Sequence, residues 1–374
     1  MTLSKQEARM KGIPYLPFEQ YGKTYNLYDL PKGFVIKRDL DLSDYNFTKL
    51  PDLSDVVVKG NFNCSFNKLT SLKGAPKEVG GSFSCSYNEL TSLKGAPQIV
   101  GGDFSCEHNQ LTSLEGAPQT VGGNFDCYSN HLTSLEGAPK KVGGAFNCSN
   151  NGLTSLEGAP IEVGRTFSCA DNQLTSLEGA PQEVGREFNC HNNQLTSLEG
   201  APQTVGGDFL CSNNHLTSLE GAPKEVGGNF YCHSSQLTSL EGAPKKVGGS
   251  FSCHDNQLTS LVGVPQMNKG CTIYCDKSLK DKYGFDTPFS YEQLCASPLY
   301  KNELAMSRVR SKQQEKQVET KSVSSEQQEK QVETKPASSE QQKTVDQKQQ
   351  EAFEKINAEF SQWLKDNTTK PTRE

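Results

Sequence analysis

Cysteines recur at positions 64, 85, 106, 127, 148, 169, 190, 211, 232 and 253, a step of 21 residues held through ten units. Each unit reads V-(G/K)-G-x-F-x-C-x-x-N-x-L-T-S-L-(E/K)-G-A-P-x-x with few departures. Such a period constrains the chain severely. Every unit exposes the same apolar surface and must bury it against its copies, so the units stack and their core is a row rather than a ball. The composition agrees: 33 glycines and 13 cysteines stand beside four methionines and one tryptophan, and the apolar fraction is only 33%.

Within a unit, Asp103-Phe104-Ser105-Cys106-Glu107 alternates polar and apolar residues. The alternation predicts a short half-buried strand with Phe104 and Cys106 inward and Asp103, Ser105 and Glu107 outward. Ten parallel strands about 4.8 Å apart give a stack about 45 Å long. Asn67, Asn88, Asn109, Asn130, Asn151, Asn172, Asn193, Asn214 and Asn256 fall where an inward amide can bond turn backbone of its own and adjacent coils, and Ser235 interrupts the row. The Gly-Gly pair after most of the repeat valines, as in Gly122-Gly123, suggests a turn with positive φ, while Gly-Ala-Pro returns the chain without a helix.

These units resemble the leucine-rich-repeat core L-x-L-x-x-N-x-L, with Phe104 and Cys106 in the first apolar places, Asn109 in the Asn place and Leu111 in the last. The resemblance covers about 200 residues. Within that family the units are similar to the short repeats of type III-secreted bacterial effectors, the group containing the IpaH ubiquitin ligases, which also run N-x-L-T-S-L before a proline. L-T-S-L-E-G-A-P repeat proteins of tailed phages and bacteria look closer still. The resemblance implies a leucine-rich-repeat solenoid with parallel strands on its concave face, an extended or 3-10 back, and few helices outside the caps and tail. The expected function is a scaffold that binds a protein partner through that concave face.

Around the solenoid the chain divides into residues 1–57, an N-terminal segment and cap; 58–270, the repeats; 271–310, a C-terminal cap; 311–345, a polar linker; and 346–366, an amphipathic helix. Residues 34–58 read as a degenerate first coil with Tyr45 at the Asn place, and Tyr15, Phe18, Tyr21, Tyr25 and Tyr28 are expected to cover the open end. Ile273 and Cys275 fall one residue late, and Ser297-Pro298 suits a helix start. The stretch Q-Q-E-K-Q-V-E-T-K occurs at 313–321 and again at 327–335, almost without apolar residues. Phe353, Ile356, Phe360, Trp363 and Leu364 then share one helical face, through which self-association is an expectation.

Function classes narrow by charge and by motif. The net charge is −6, and residues 58–262 carry 12 Lys+Arg against 19 Asp+Glu, which leaves the remainder near neutral. No basic stripe suits nucleic acid. No run approaches the roughly 20 apolar residues of a membrane span, and the N-terminus lacks a signal-peptide core. Many cysteines without such a signal point to a reducing cytoplasm, with export into a host cell by a signal-independent route, as an effector, kept as the alternative. No Walker loop, G-x-S-x-G or H-E-x-x-H motif occurs. Cys295 is followed by Ala-Ser, not the C-x-D of the ligases resembled, so no enzymatic activity and no cofactor are expected.

Several columns invite function. The inward cysteines read as packing residues, and Cys271 with Cys275 is the one near-motif for a metal. His191, His233 and His254 share an outward position, with His233 and His254 expected as neighbours. Glu115, Glu136, Glu157, Glu178, Glu199, Glu220 and Glu241 form a ridge of like charge. Variation concentrates at the outward strand positions, which in a solenoid form the usual recognition surface. Asp126, Tyr128, Asn147, Asn189, His191, Leu210, Tyr231 and His233 are the candidates there for binding a protein partner, with Leu210 and Tyr231 as adjacent anchors.

Overall fold

The computed structural model describes residues 4–12, 14–286 and 288–312. Two ladders of two-residue strands run through the repeats. In the first, Phe104–Ser105 pairs in parallel with Phe83–Ser84 on one side and Phe125–Asp126 on the other, and this register continues into a thirteen-stranded sheet. In the second, Thr120–Val121 pairs in parallel with Ile99–Val100 and Lys141–Val142, building a twelve-stranded sheet. The chain is therefore a parallel-strand solenoid that carries a second hydrogen-bonded ladder beside the first, a regularity beyond the extended-or-3-10 expectation.

The core is the predicted row. Phenylalanines from Phe62 to Phe251 are buried and stack from coil to coil with ring centroids 5.2–5.6 Å apart. Cysteine, valine and both leucines of each coil fill the space beside them. Stacking places each unit's apolar face on an identical one, so burial repeats instead of growing inward.

The asparagine ladder supplies the polar half. Asn109 Nδ2 donates to the carbonyls of Cys85 and Cys106, both at 3.1 Å, and the N–H of Leu90 donates to Asn109 Oδ1 at 3.0 Å. One amide thus ties two coils together and satisfies buried backbone that no strand reaches. At position 235 the row breaks: Ser235 Oγ is buried without a hydrogen-bond partner, and its hydroxyl is too short to offer Leu216 the acceptor that neighbouring coils provide.

The glycine expectation needs correction. Gly122 and Gly123 do not adopt positive φ; a Cβ on Gly122 would stand 2.2 Å from the Gly101 carbonyl oxygen, so close approach of adjacent coils excludes any side chain. Positive φ falls instead at the Gly of Gly-Ala-Pro, as at Gly116 (φ 91°), and at the second residue after each cysteine, as at His108 (φ 53°).

Both ends are closed. Val35–Ile36 and Leu40–Asp41 pair with Val57–Val58 and Phe62–Asn63, forming the degenerate first coil. Phe18, Tyr25 and Phe34 pack against its end, whereas Tyr21 is exposed, contrary to its expected covering role. Gln20 protects the edge: its Nε2 donates to Val35 O at 3.0 Å and its Oε1 accepts from Lys37 N at 2.8 Å, replacing a missing strand. At the other end Ile273 pairs with Phe251, and the antiparallel strand Phe289–Ser290 covers that edge. Helices Lys277–Tyr283 and Tyr291–Ala296 follow, and 298–312 is helical. Tyr283 and Ser260 both donate to Glu303, which also meets Lys282 and so anchors this helix to the last coil. The expectations for the rest of the linker and for the helix at 346–366, with its self-association, lie outside the described residues.

Candidate interaction surface

Alternation along each strand fixes which residues face out. Phe125 and Cys127 are fully buried, so Asp126 between them and Tyr128 after them turn to the other side of the sheet, where both are partly exposed. All eight candidate residues line two adjoining depressions on that face. Asp126, Tyr128, Asn147, Asn189 and His191 border one, together with Asn124 and Asp171. His191, Leu210, Tyr231 and His233 border the other, with Ser212 and Asn213. His191 stands on the divide and joins them.

Pairing explains the adjacency. Asn189 lies opposite Leu210 and Leu210 opposite Tyr231, so side chains 21 residues apart become lateral neighbours. Tyr231 meets His233 edge to face at 6.5 Å. His233 stacks on His254 at 4.5 Å with 8° between the rings, as their shared column predicts. His191 Nδ1 lies 2.9 Å from Asn189 Oδ1, and its Nε2 is 3.7 Å from Asp171.

The electrostatics of this face are one-sided. The outward strand positions of the ten repeat coils hold Asp103, Glu107, Asp126, Glu187 and Asp208 and no lysine or arginine. Burial pushes Asp126 above the usual carboxylate range; the neighbouring Glu107 pushes the same way, while the Tyr128 N–H donated at 3.0 Å opposes it. Glu107 Oε2 is buried without a hydrogen-bond partner. Glu187 is likewise raised, by burial first and then by Asp208, with His191 opposing. Burial lowers His233, and His254 adds to the effect, so the imidazole is held toward its neutral form.

Other columns have different roles. The ten repeat cysteines are buried, and burial pushes their thiols well up; Cys106 Sγ lies 3.3 Å from the Asp126 carbonyl oxygen as a weak donor. Cys271 Sγ donates to Gly248 O at 3.3 Å. Among the described residues no group of three metal-ligating side chains converges. The glutamate ridge is exposed, and its first member, Glu115, pairs with Lys94 at 2.9 Å. Among the described residues no helix is long and apolar enough to cross a membrane.

One feature escaped the sequence reading. Phe66, Tyr87 and His108, the positive-φ residues of consecutive coils, form an aromatic run with centroids 4.6 and 4.3 Å apart, in which Phe66 and Tyr87 are exposed and His108 is half-buried. Three rings in a row in a column otherwise polar were its signal.

No protein-family model and no curated protein matches the sequence. Among solved structures, YopM from Yersinia enterocolitica WA-314 is similar at 20% identity and a TM-score of 0.45, over 63% of this chain and 56% of that one. The leucine-rich effector protein YopM from Yersinia pestis is similar at 21% identity and a TM-score of 0.46, over 65% of this chain and 70% of that one. The chain thus spans little more than half of the first of these.

Proposed function

We propose that the chain is a non-enzymatic scaffold that binds a protein partner through the outward face of its thirteen-stranded sheet. The observation that carries this reading is that all eight candidate side chains line two adjoining depressions on the outward face. Aromatic and aliphatic anchors inside a polar field match the anatomy of binding patches. A rigid sheet presents them at little entropic cost, because the backbone is already ordered.

Co-purification from cells expressing the tagged full chain tests the reading against two variants. A partner held by the wild type and by a 346–366 deletion, but lost by Leu210→Asp/Tyr231→Asp, supports it. A partner kept by the double substitution and lost with the deletion moves recognition to the tail and overturns it. Circular dichroism establishes first that all three proteins are folded.

A further inference from the structure

The depression between Leu210 and Tyr231 is apolar at its floor, but the groups around it are not neutral. Glu187 and Asp208 stand immediately before the strands Phe188–Asn189 and Phe209–Leu210 on the same face, and after burial itself Asp208, Tyr274 and Glu187 push the Tyr231 hydroxyl up. Asp208 Oδ1 accepts from the Asn229 N–H at 2.7 Å, a bond that fixes its carboxylate on the face. Arg165 and Arg186 occupy the turn before the strand, outside the outward positions. His191 and His233 rim the depression.

These facts discriminate between occupants. A purely apolar segment would cover Leu210 and Tyr231 but strip water from Glu187 and Asp208 without giving them a counter-ion, which is costly. An acidic segment would be repelled. A lysine offers only a point charge, whereas an arginine offers a plane that stacks on an aromatic ring and a fork that matches a carboxylate. Its aliphatic stem also covers apolar surface.

We propose that the Leu210–Tyr231 depression receives an arginine-bearing segment of a protein partner, its guanidinium lying against Tyr231 and reaching Glu187 and Asp208 while its stem covers Leu210. This rests on the proposed binding role of the same face and names the chemistry that the face selects. Salt weakens such a contact more than it weakens a purely apolar one.

Panning the immobilised full chain against a random twelve-residue peptide library provides the test, with Glu187→Gln/Asp208→Asn and Leu210→Asp/Tyr231→Asp panned in parallel. Both carboxamides keep the side-chain shape, and Glu136→Gln/Glu157→Gln on the exposed ridge serves as control. The expected result is a set of peptides several-fold enriched in arginine, captured by wild type and control and lost by both face variants. Replacing the arginine by neutral citrulline then weakens binding at least tenfold. Peptides lost by Leu210→Asp/Tyr231→Asp but kept by Glu187→Gln/Asp208→Asn, or lacking arginine, overturn the proposal and leave the binding face intact. A wild type that captures nothing beyond what Leu210→Asp/Tyr231→Asp captures overturns both.

Discussion

Phe125 and Asp126 are consecutive residues of one two-residue strand, yet they belong to different parts of the molecule. The inward side of the sheet repeats phenylalanine and cysteine through ten coils, while the outward side passes through Asn, Ser, Asp, Leu and Tyr in the same places. Inward residues meet their own copies at stacking distance, so a change there is felt by two neighbours at once. Outward residues meet solvent on one side, and the strand pairs whatever they are. The architecture thereby separates the residues that build the core from those left free to vary, at a spacing of one residue.

Substitution should expose that division most strongly at the phenylalanines. Phe146→Ala opens a cavity between Phe125 and Phe167, and a loss of about 3–5 kcal/mol is expected by denaturant titration. Ser105→Ala, on the outward side, should change stability by no more than about 0.5 kcal/mol. Comparable losses at the two sites would dissolve the division.

The asparagine ladder refines the comparison, because its polar side chains lie inside. Asn130→Ala removes the donors to Cys106 O and Cys127 O and the acceptor of the Leu111 N–H, leaving buried backbone unsatisfied. A loss of about 2–3 kcal/mol follows. The reverse change should help: Ser235→Asn restores an acceptor for Leu216 and donors toward Cys211 and Cys232, raising stability by about 1 kcal/mol. Hydrogen exchange at the Leu216 amide should slow with it. Unchanged exchange there would mean that the break in the row is already compensated.

Much of this was legible before any coordinates, for a physical reason. The 21-residue period forces each residue type into a column, and alternation then assigns the column a side, which placed Phe104, Cys106, Asn109 and the His233–His254 pair correctly. Contacts that depend on neither period nor alternation stayed hidden. The role of Gly122 is set by the distance to another coil's carbonyl, and its residue type alone is equally compatible with positive φ. The second ladder through Val121 follows from how closely adjacent coils approach there, which the side-chain pattern does not encode. Likewise the burial of Asp126 depends on the depth of a depression that its outward position alone does not reveal.

That burial yields the smallest expected effect and the one most specific to the outward face. Asp126 binds its proton more tightly in the folded chain than in the unfolded one. The protonated form is therefore the better accommodated, and the group favours folding fully below its unfolded pKa of about 4. As pH rises through the folded value this advantage is lost, and at neutral pH the ionised carboxylate carries a penalty. Asp126→Asn keeps the Oδ1 that accepts from Tyr128 N and removes the charge. The variant should thus be slightly more stable than wild type at pH 7, with the difference shrinking toward pH 3 in paired denaturant titrations. A variant less stable at pH 7 would show that the carboxylate is compensated on this face and that its acidic strip needs no partner to neutralise it.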